Sequence, residues 1–384
     1  MLIGISNAPR DSAWGSPTLI AELEGREPTG APEAEVWFGD HPASPSAVLD
    51  GTGRTLDQWL AAQDAESGTP PRLPYLLKLL AAASTLSIQA HPSKAHAEAA
   101  FAREEAAGIP MDAAHRSYRD DNHKPELIVA LSERFEALVG VRDLAATRRL
   151  LKALGDAAAP VQQRLDTDGV GGTVGWLLSG DAQDIVDAVI AAATTAESDE
   201  FGFELEVSRR LATAYPGDPG VVVALLMNVV TLCRGEGVYV GAGVLHAYLA
   251  GLGVELMAAS DNVMRGGLTP KPIDVPELLA VLDESAGAVA LLQPEPAGEG
   301  VERFAPGIPD FALLRVESVS TSPRVVETTG TAIVLATAGE VAVRGAVTAD
   351  PIVLRPGQAL LATPAESPLQ VVGAGEVFVA QSGI

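Results

Sequence analysis

The chain carries six histidines, at 41, 91, 96, 115, 123 and 246, and one cysteine, Cys233. A single thiol permits neither an intrachain disulfide nor a thiolate zinc cluster, so any metal here is held by nitrogen and oxygen. Three segments offer such donors. Gln89-Ala90-His91 closes an apolar run and is followed by a proline. In a strand, residues i and i+2 point to one face, so Gln89 and His91 can share a ligand; a polar pair that merely ends a strand fits the same spacing. Asn122-His123-Lys124-Pro125-Glu126 gathers an imidazole, an amine and a carboxylate. Pro125 favours extended backbone before it, which puts Lys124 and Glu126 on one face; a solvated charged turn is the other reading. His246 follows the glycine turn Gly241-Ala242-Gly243, between two apolar runs. A structural histidine suits that place as well as a ligand does. Together Gln89, His91, Glu126 and His246 supply two imidazoles, one carboxylate and one amide oxygen. That donor set suits zinc or another divalent first-row ion.

A fourth segment, ELMAASDNVMRGGLTPK at 255–271, brings Arg265 and Lys271 together with Glu255 and Asp261. The chain has 26 Lys and Arg against 50 Asp and Glu, a net charge of −24. Such a surface repels nucleic acid, so an anionic substrate needs a local cluster of cations. Arg265 and Lys271 form one, which fits a phosphorylated substrate; salt bridges to Asp261 and its neighbours are the alternative. No G-x-S-x-G elbow, Walker loop or G-x-G-x-x-G follows a strand, which sets aside serine hydrolases, P-loop enzymes and dinucleotide enzymes.

These residues need elements to position them. At 384 residues, 47% hydrophobic and 20% charged, the chain is long and apolar enough for two or three folded domains. Its first sixteen residues lack the basic and apolar regions of a signal peptide, and no apolar run is long enough to span a membrane. A soluble cytoplasmic protein, with no membrane or nucleic-acid partner, is expected.

Residues 1–60 read as short strands and turns, and 74–90 as strands. Residues 93–107 read as a helix capped by Ser93 and stopped at Gly108. Residues 123–141 carry strand character. From 143 to about 230 the apolar spacing is helical, behind capping residues Asp143 and Asp181, with further helices over 201–215 and 219–232. From 235 onward short β-prone runs are divided by glycines, with a Pro- and Gly-rich linker over 294–309 and more strands over 311–384. The pattern is mainly β with an α insertion: a barrel interrupted by helices, then a second barrel. The divisions fall at 1–142, 143–232, 233–293 and 294–384.

The quoted motifs carry a resemblance. SAWGS at 12–16, VWFGDHPASPS at 36–46, the segment containing QAHPSK at 73–104, DNHKPELIVAL at 121–131, FEALVGVRD at 135–143 and 241–282 with SDNVMRGGLTPK resemble, in order, the type I mannose-6-phosphate isomerases. The resemblance implies tandem cupin-like β-barrels of the jelly-roll type with an inserted helical domain. It also implies one zinc ion per chain, a monomer, and interconversion of mannose 6-phosphate and fructose 6-phosphate. The family's metal ligands fall on Gln89, His91, Glu126 and His246, and its catalytic arginine on Arg265. Lys124 falls on a pocket lysine and is the candidate proton carrier. Lys78, Ser87, Glu255 and Lys271 fall on substrate-pocket positions, with Lys78, Lys271 and Ser87 as candidates for the phosphate. Two departures stand out: SAWGS lacks the aromatic residue often found before its alanine, and the last barrel is less typical. Two rivals remain, a cupin metal oxygenase and a non-catalytic sugar-phosphate-binding cupin.

Overall fold

The computed structural model describes residues 1–113, 115–319 and 322–383. The chain is mainly β, in two antiparallel sheets of nine and ten strands, with helices inserted between strands of the first. Both sheets curl into the expected cupin-like barrels. The nine-stranded sheet holds the candidate ligands. Its axis is the strand His246–Ala258, whose second half lies between Tyr75–Ala82 and Glu126–Ala130. Its first half pairs with Gln89–Ala90 and Phe135–Val141. The sequence reading broke this stretch at its glycines; the structure runs one strand through them. Gly251 has φ 123°, and a Cβ there would lie 2.8 Å from the Phe135 ring and 2.9 Å from the Ser132 hydroxyl. Glycine therefore lets the strand bend from one wall of the barrel to the other.

Alternation decides which residues face the barrel interior. On one face, Leu77, Leu79, Leu127, Val129, Val254 and Leu256 pack against Ile333, Leu335, Leu361 and Phe378 of the ten-stranded sheet. On the other face, Leu80, Ala82, Ile128, Ala130 and Tyr248 line the barrel. Tyr75–Ala82 is buried at every position, so its one charged residue, Lys78, lies on the interior face with nowhere to reach water freely.

The helices Leu144–Ala153, Ala159–Leu178, Gln183–Thr195, Gly202–Ala214 and Gly220–Ala224 form the insertion. They share one core with Ile88, Ala90, Leu138, Ala247, Leu249 and Met264, the outward residues of the ligand-bearing strands. Ser93 and Asp143 cap their helices as expected, accepting from His96 N and Ala146 N. Asp181 does not: the helix begins at Gln183 with no side-chain cap. The run 219–232 is helical only over Gly220–Ala224, because Met227–Leu232 finds a strand partner in Phe135–Val141. Residues 1–60 hold two short helices, Leu19–Glu24 and Leu56–Ala61, beside their strands.

The ten-stranded sheet draws on both ends of the chain. Leu2–Ser6 pairs with Ala359–Ala362 on one side and Ala47–Val48 on the other. The expected linker over 294–309 is structured: Glu295–Gly298 and Val301–Phe304 pair with each other and extend the sheet. The interior of this barrel is filled by Leu314, Val316, Val334, Val341, Val343, Leu360, Val377 and Val379. None of its strands carries a histidine. Among the described residues no helix is long and apolar enough to cross a membrane.

Candidate metal centre and active-site cleft

Gln89 lies directly opposite His246 on one neighbouring strand and opposite Arg265 on the other. Residues opposite one another in a sheet share a face, so all three side chains point into the barrel. His91, two residues beyond Gln89, follows them before Pro92 and the helix cap turn the chain away. Glu126 opens its strand immediately after Pro125. His246 opens its own strand after Gly243, which has φ 78°. A Cβ on Gly243 would lie 2.5 Å from the Val281 carbonyl, and its amide donates to the His91 carbonyl at 2.8 Å. Only glycine fits that turn.

The three buried donors converge. His91 Nε2 is 3.2 Å from Glu126 Oε1, and His246 Nε2 is 3.3 Å from Glu126 Oε2. The two imidazole centroids are 4.9 Å apart. Each ring uses its other nitrogen on a backbone carbonyl: His91 Nδ1 on Asn262 O at 2.8 Å, His246 Nδ1 on Val244 O at 3.0 Å. A carbonyl only accepts, so Nδ1 carries the proton and, in the neutral ring, Nε2 carries a lone pair. Burial pushes the His91 pKa down to about 4, which keeps that ring neutral near neutral pH. The His91 lone pair thus faces a buried carboxylate, and His91 Nε2 has no hydrogen-bond partner. This arrangement is repulsive unless a cation lies among the atoms. One ligand atom from each of the three residues lies within 4.8 Å of the others, close enough to share one ion. The residues fit a zinc-like ion. Gln89 donates its Nε2 to Ser87 Oγ at 3.2 Å, so its Oε1 is the atom it has to offer a cation.

The charges around this centre are arranged in two layers. Burial raises the Glu126 pKa, but the neighbouring Lys124 ammonium leads the contacts that hold the carboxyl well below its usual range. Lys124 Nζ lies 3.0 Å from Glu126 Oε1. Lys78 Nζ lies 2.9 Å from Glu255 Oε2 and 3.1 Å from Glu35 Oε1. Burial opposes the charge on Lys78, yet Glu255, Glu35 and Glu126 together raise its pKa. Burial raises the Glu255 pKa; Lys78 counters this, while Glu126 and Glu35 add to it.

An inner chamber of about 70 Å³ is lined by Glu35, Lys78, Ser87, Gln89, Lys124, Glu126, His246, Tyr248 and Glu255. It opens into an outer cleft of about 620 Å³ whose walls include Arg10, Trp37, Arg265, Thr269 and Lys271. Every candidate from the sequence therefore lies on one continuous space, with His91 buried behind it. The proposed salt bridges of Arg265 and Lys271 to Asp261 are absent: Asp261 Oδ1 pairs with His41 Nε2 at 3.1 Å. Neither Arg265 nor Lys271 has an ion-pair partner among the described residues.

Several residues escaped the sequence reading. Tyr248 donates to Glu126 Oε2 at 3.4 Å, and the i+2 rule applied to His246 points to it. Asn262 is fully buried; its side chain binds Arg119 N, Asp120 O and Asn122 O while its carbonyl holds His91. Glu35 reaches Lys78, and Asp218 accepts from Leu268 N and Thr269 N, across long sequence separations that no local pattern signals.

Residues 2–144 match the family described as phosphomannose isomerase type I, catalytic domain. The mannose-6-phosphate isomerase of Escherichia coli is 35% identical over 385 residues, covering 97% of each chain. That of Homo sapiens is 33% identical, covering 93% of this chain and 92% of its own. A crystal structure of mannose 6-phosphate isomerase from Salmonella typhimurium, bound to substrate and zinc, has a TM-score of 0.89 and 34% identity over all of both chains. A zinc-bound mannose 6-phosphate isomerase matches equally well, with a TM-score of 0.89. This chain belongs to the type I phosphomannose isomerase family.

Proposed function

We propose that the protein is a zinc-dependent aldose–ketose isomerase that interconverts mannose 6-phosphate and fructose 6-phosphate. The observation that carries this reading is the pair of imidazoles converging on one buried carboxylate, with Lys124 in the inner chamber and Arg265 on the adjoining cleft. When bound, zinc supplies a Lewis acid that favours the enediolate form of the sugar over its neutral forms. The remaining work falls to the chain. In the forward direction a proton leaves C2 and O1 is protonated, giving the enediol. C1 then takes a proton, O2–H loses one, and the ketose results. Lys124, as the neutral amine, is the group that takes the proton from C2 and, as the ammonium so formed, returns it at C1. It reaches the chamber because Pro125 holds the backbone extended toward Glu126.

Arg265 stands opposite Gln89, next to the donors, and burial lowers its pKa with help from Arg119. An arginine remains charged all the same, so it stabilises the developing oxyanion rather than moving protons. Lys78 positions Glu35 and Glu255 along the chamber wall, and its charge is matched there by those two carboxylates. Both rival readings lack a comparable observation: an oxygenase has no use for the unpaired cations of the cleft, and a mere binder none for Lys124 beside Glu126.

A coupled assay with mannose 6-phosphate tests the proposal. Turnover is expected in the zinc-loaded protein, loss after chelation, and recovery when zinc is restored. Full turnover by a demonstrably metal-free preparation would sink it.

A further inference from the structure

A sugar phosphate needs cations that no carboxylate already neutralises, and the cleft has few. Lys78 is paired with Glu35 and Glu255, and Lys124 with Glu126. Arg265 is free of carboxylates, but its register opposite Gln89 places it at the reacting end. Two cations remain on the outer cleft, Lys271 and Arg10, and neither has an ion-pair partner among the described residues.

Arg10 is held in place from two directions. Its amide donates to Glu35 O at 2.8 Å, and its carbonyl accepts from Ala34 N at 2.8 Å. Its guanidinium carbon lies 4.4 Å from the centre of the Trp37 ring, a cation–π contact that fixes the side chain without cancelling its charge. Trp37, Lys78 and Glu255 lie opposite one another on three adjacent strands. At the usual strand spacing this row spans about 10 Å, the order of an extended hexose phosphate. The row leads from the chamber to the ring on which Arg10 rests.

We infer that Arg10, stacked on Trp37, binds the phosphate of the substrate together with Lys271, while C1 and C2 lie in the inner chamber. This rests on the sugar-phosphate reading above. A planar guanidinium offers two parallel donors to a phosphate, and a ring beneath it lowers the entropy lost on binding. Contact with a group remote from the reacting carbons acts equally in ground and transition states, so it appears in KM rather than in kcat.

Arg10→Gln, compared with the zinc-loaded wild type, tests the inference. A charge-assisted contact is worth roughly ten- to a hundredfold in affinity. KM for mannose 6-phosphate should therefore rise about tenfold or more, with kcat within a few-fold. Thermal protection by inorganic phosphate, read without turnover, should weaken in parallel. Arg10→Lys keeps the charge and should recover most of both effects. Unchanged KM and unchanged phosphate protection in a folded Arg10→Gln protein would reduce Arg10 to a brace for Trp37. A fall in kcat at constant KM would likewise overturn the assignment, by moving Arg10 to the reacting end. Failure of the wild type to turn over mannose 6-phosphate would remove the isomerase reading, yet the phosphate measurement would still decide whether Arg10 binds the anion.

Discussion

At the scale of single residues, the centre depends on proton placement as much as on position. The Asn262 and Val244 carbonyls hold protons of His91 and His246 on Nδ1, so each ring turns its Nε2 toward Glu126. Lys124 carries the sharpest prediction. Lys124→Met keeps the length of the side chain and removes the amine. Turnover should fall by about 10²–10⁴-fold, the usual worth of a positioned acid–base group. Exchange of the C2 hydrogen with solvent should vanish while zinc stays bound stoichiometrically. Normal exchange in that variant would assign the proton to another group. The candidate donors were suggested by local pattern, though each spacing also fitted a structural reading and only the family resemblance assigned the four to one metal. Gln89 and His91 obey the strand rule, Pro125 extends the chain before Glu126, and glycines announce the turn before His246. The Lys78–Glu35 and Arg10–Trp37 pairs were not legible. They are made across strands, and only register reveals which residues face each other.

At the scale of elements, the helical insertion supports the cleft without supplying a metal donor. Its last turn reaches the cationic loop through Asp218. Oδ1 accepts from Gly220 N at 2.7 Å and Leu268 N at 3.0 Å, and Oδ2 accepts from Thr269 N at 3.2 Å. Leu268 has φ 54°, a conformation that costs a side-chain-bearing residue about 1–2 kcal/mol. A Cβ on the preceding Gly267 would strike the Gly220 backbone. The loop between Arg265 and Lys271 is therefore strained and held by one carboxylate. Asp218→Ala leaves buried amides without acceptors and should destabilise the protein by about 1–3 kcal/mol. It should also lower kcat/KM by about tenfold or more, whereas Asp218→Asn keeps an oxygen for Gly220 and Leu268 and should recover much of both. Equal thermal stability and activity in Asp218→Ala would show that the loop holds itself. Sequence periodicity found the long helices here but missed Leu19–Glu24 and Leu56–Ala61, too short to show a repeat. It took Glu295–Gly298 for a linker because all four residues are exposed and no alternation marks the strand.

At the scale of the whole molecule, the two sheets are joined by buried polar links as well as by their apolar faces. Arg234, from a turn of the first sheet, donates to Glu376 of the second at 2.7 Å and to the Leu131 carbonyl. Arg315 and Thr337 complete the contacts of Glu376, each at 2.7 Å. Tyr75 donates to Thr331 O at 2.8 Å, and His123, beside the proposed proton carrier, pairs with Asp310 at 2.9 Å. A chain ended at residue 293 would lose Glu376, Thr331 and Asp310 and bare the face formed by Leu77, Leu79, Leu127 and Leu256. Such a fragment should accumulate as insoluble protein, measured as the soluble fraction against the full chain. A soluble fragment that unfolds cooperatively and binds zinc would refute this. The pairing of Leu2 with Ala362 also sets the order of assembly. The ribosome delivers the first strand long before its partner, so during synthesis Leu2–Ser6 waits with one edge open. The second barrel therefore cannot close until Ala359–Ala362 has been made, and so long-range a pairing is among the slow steps of folding.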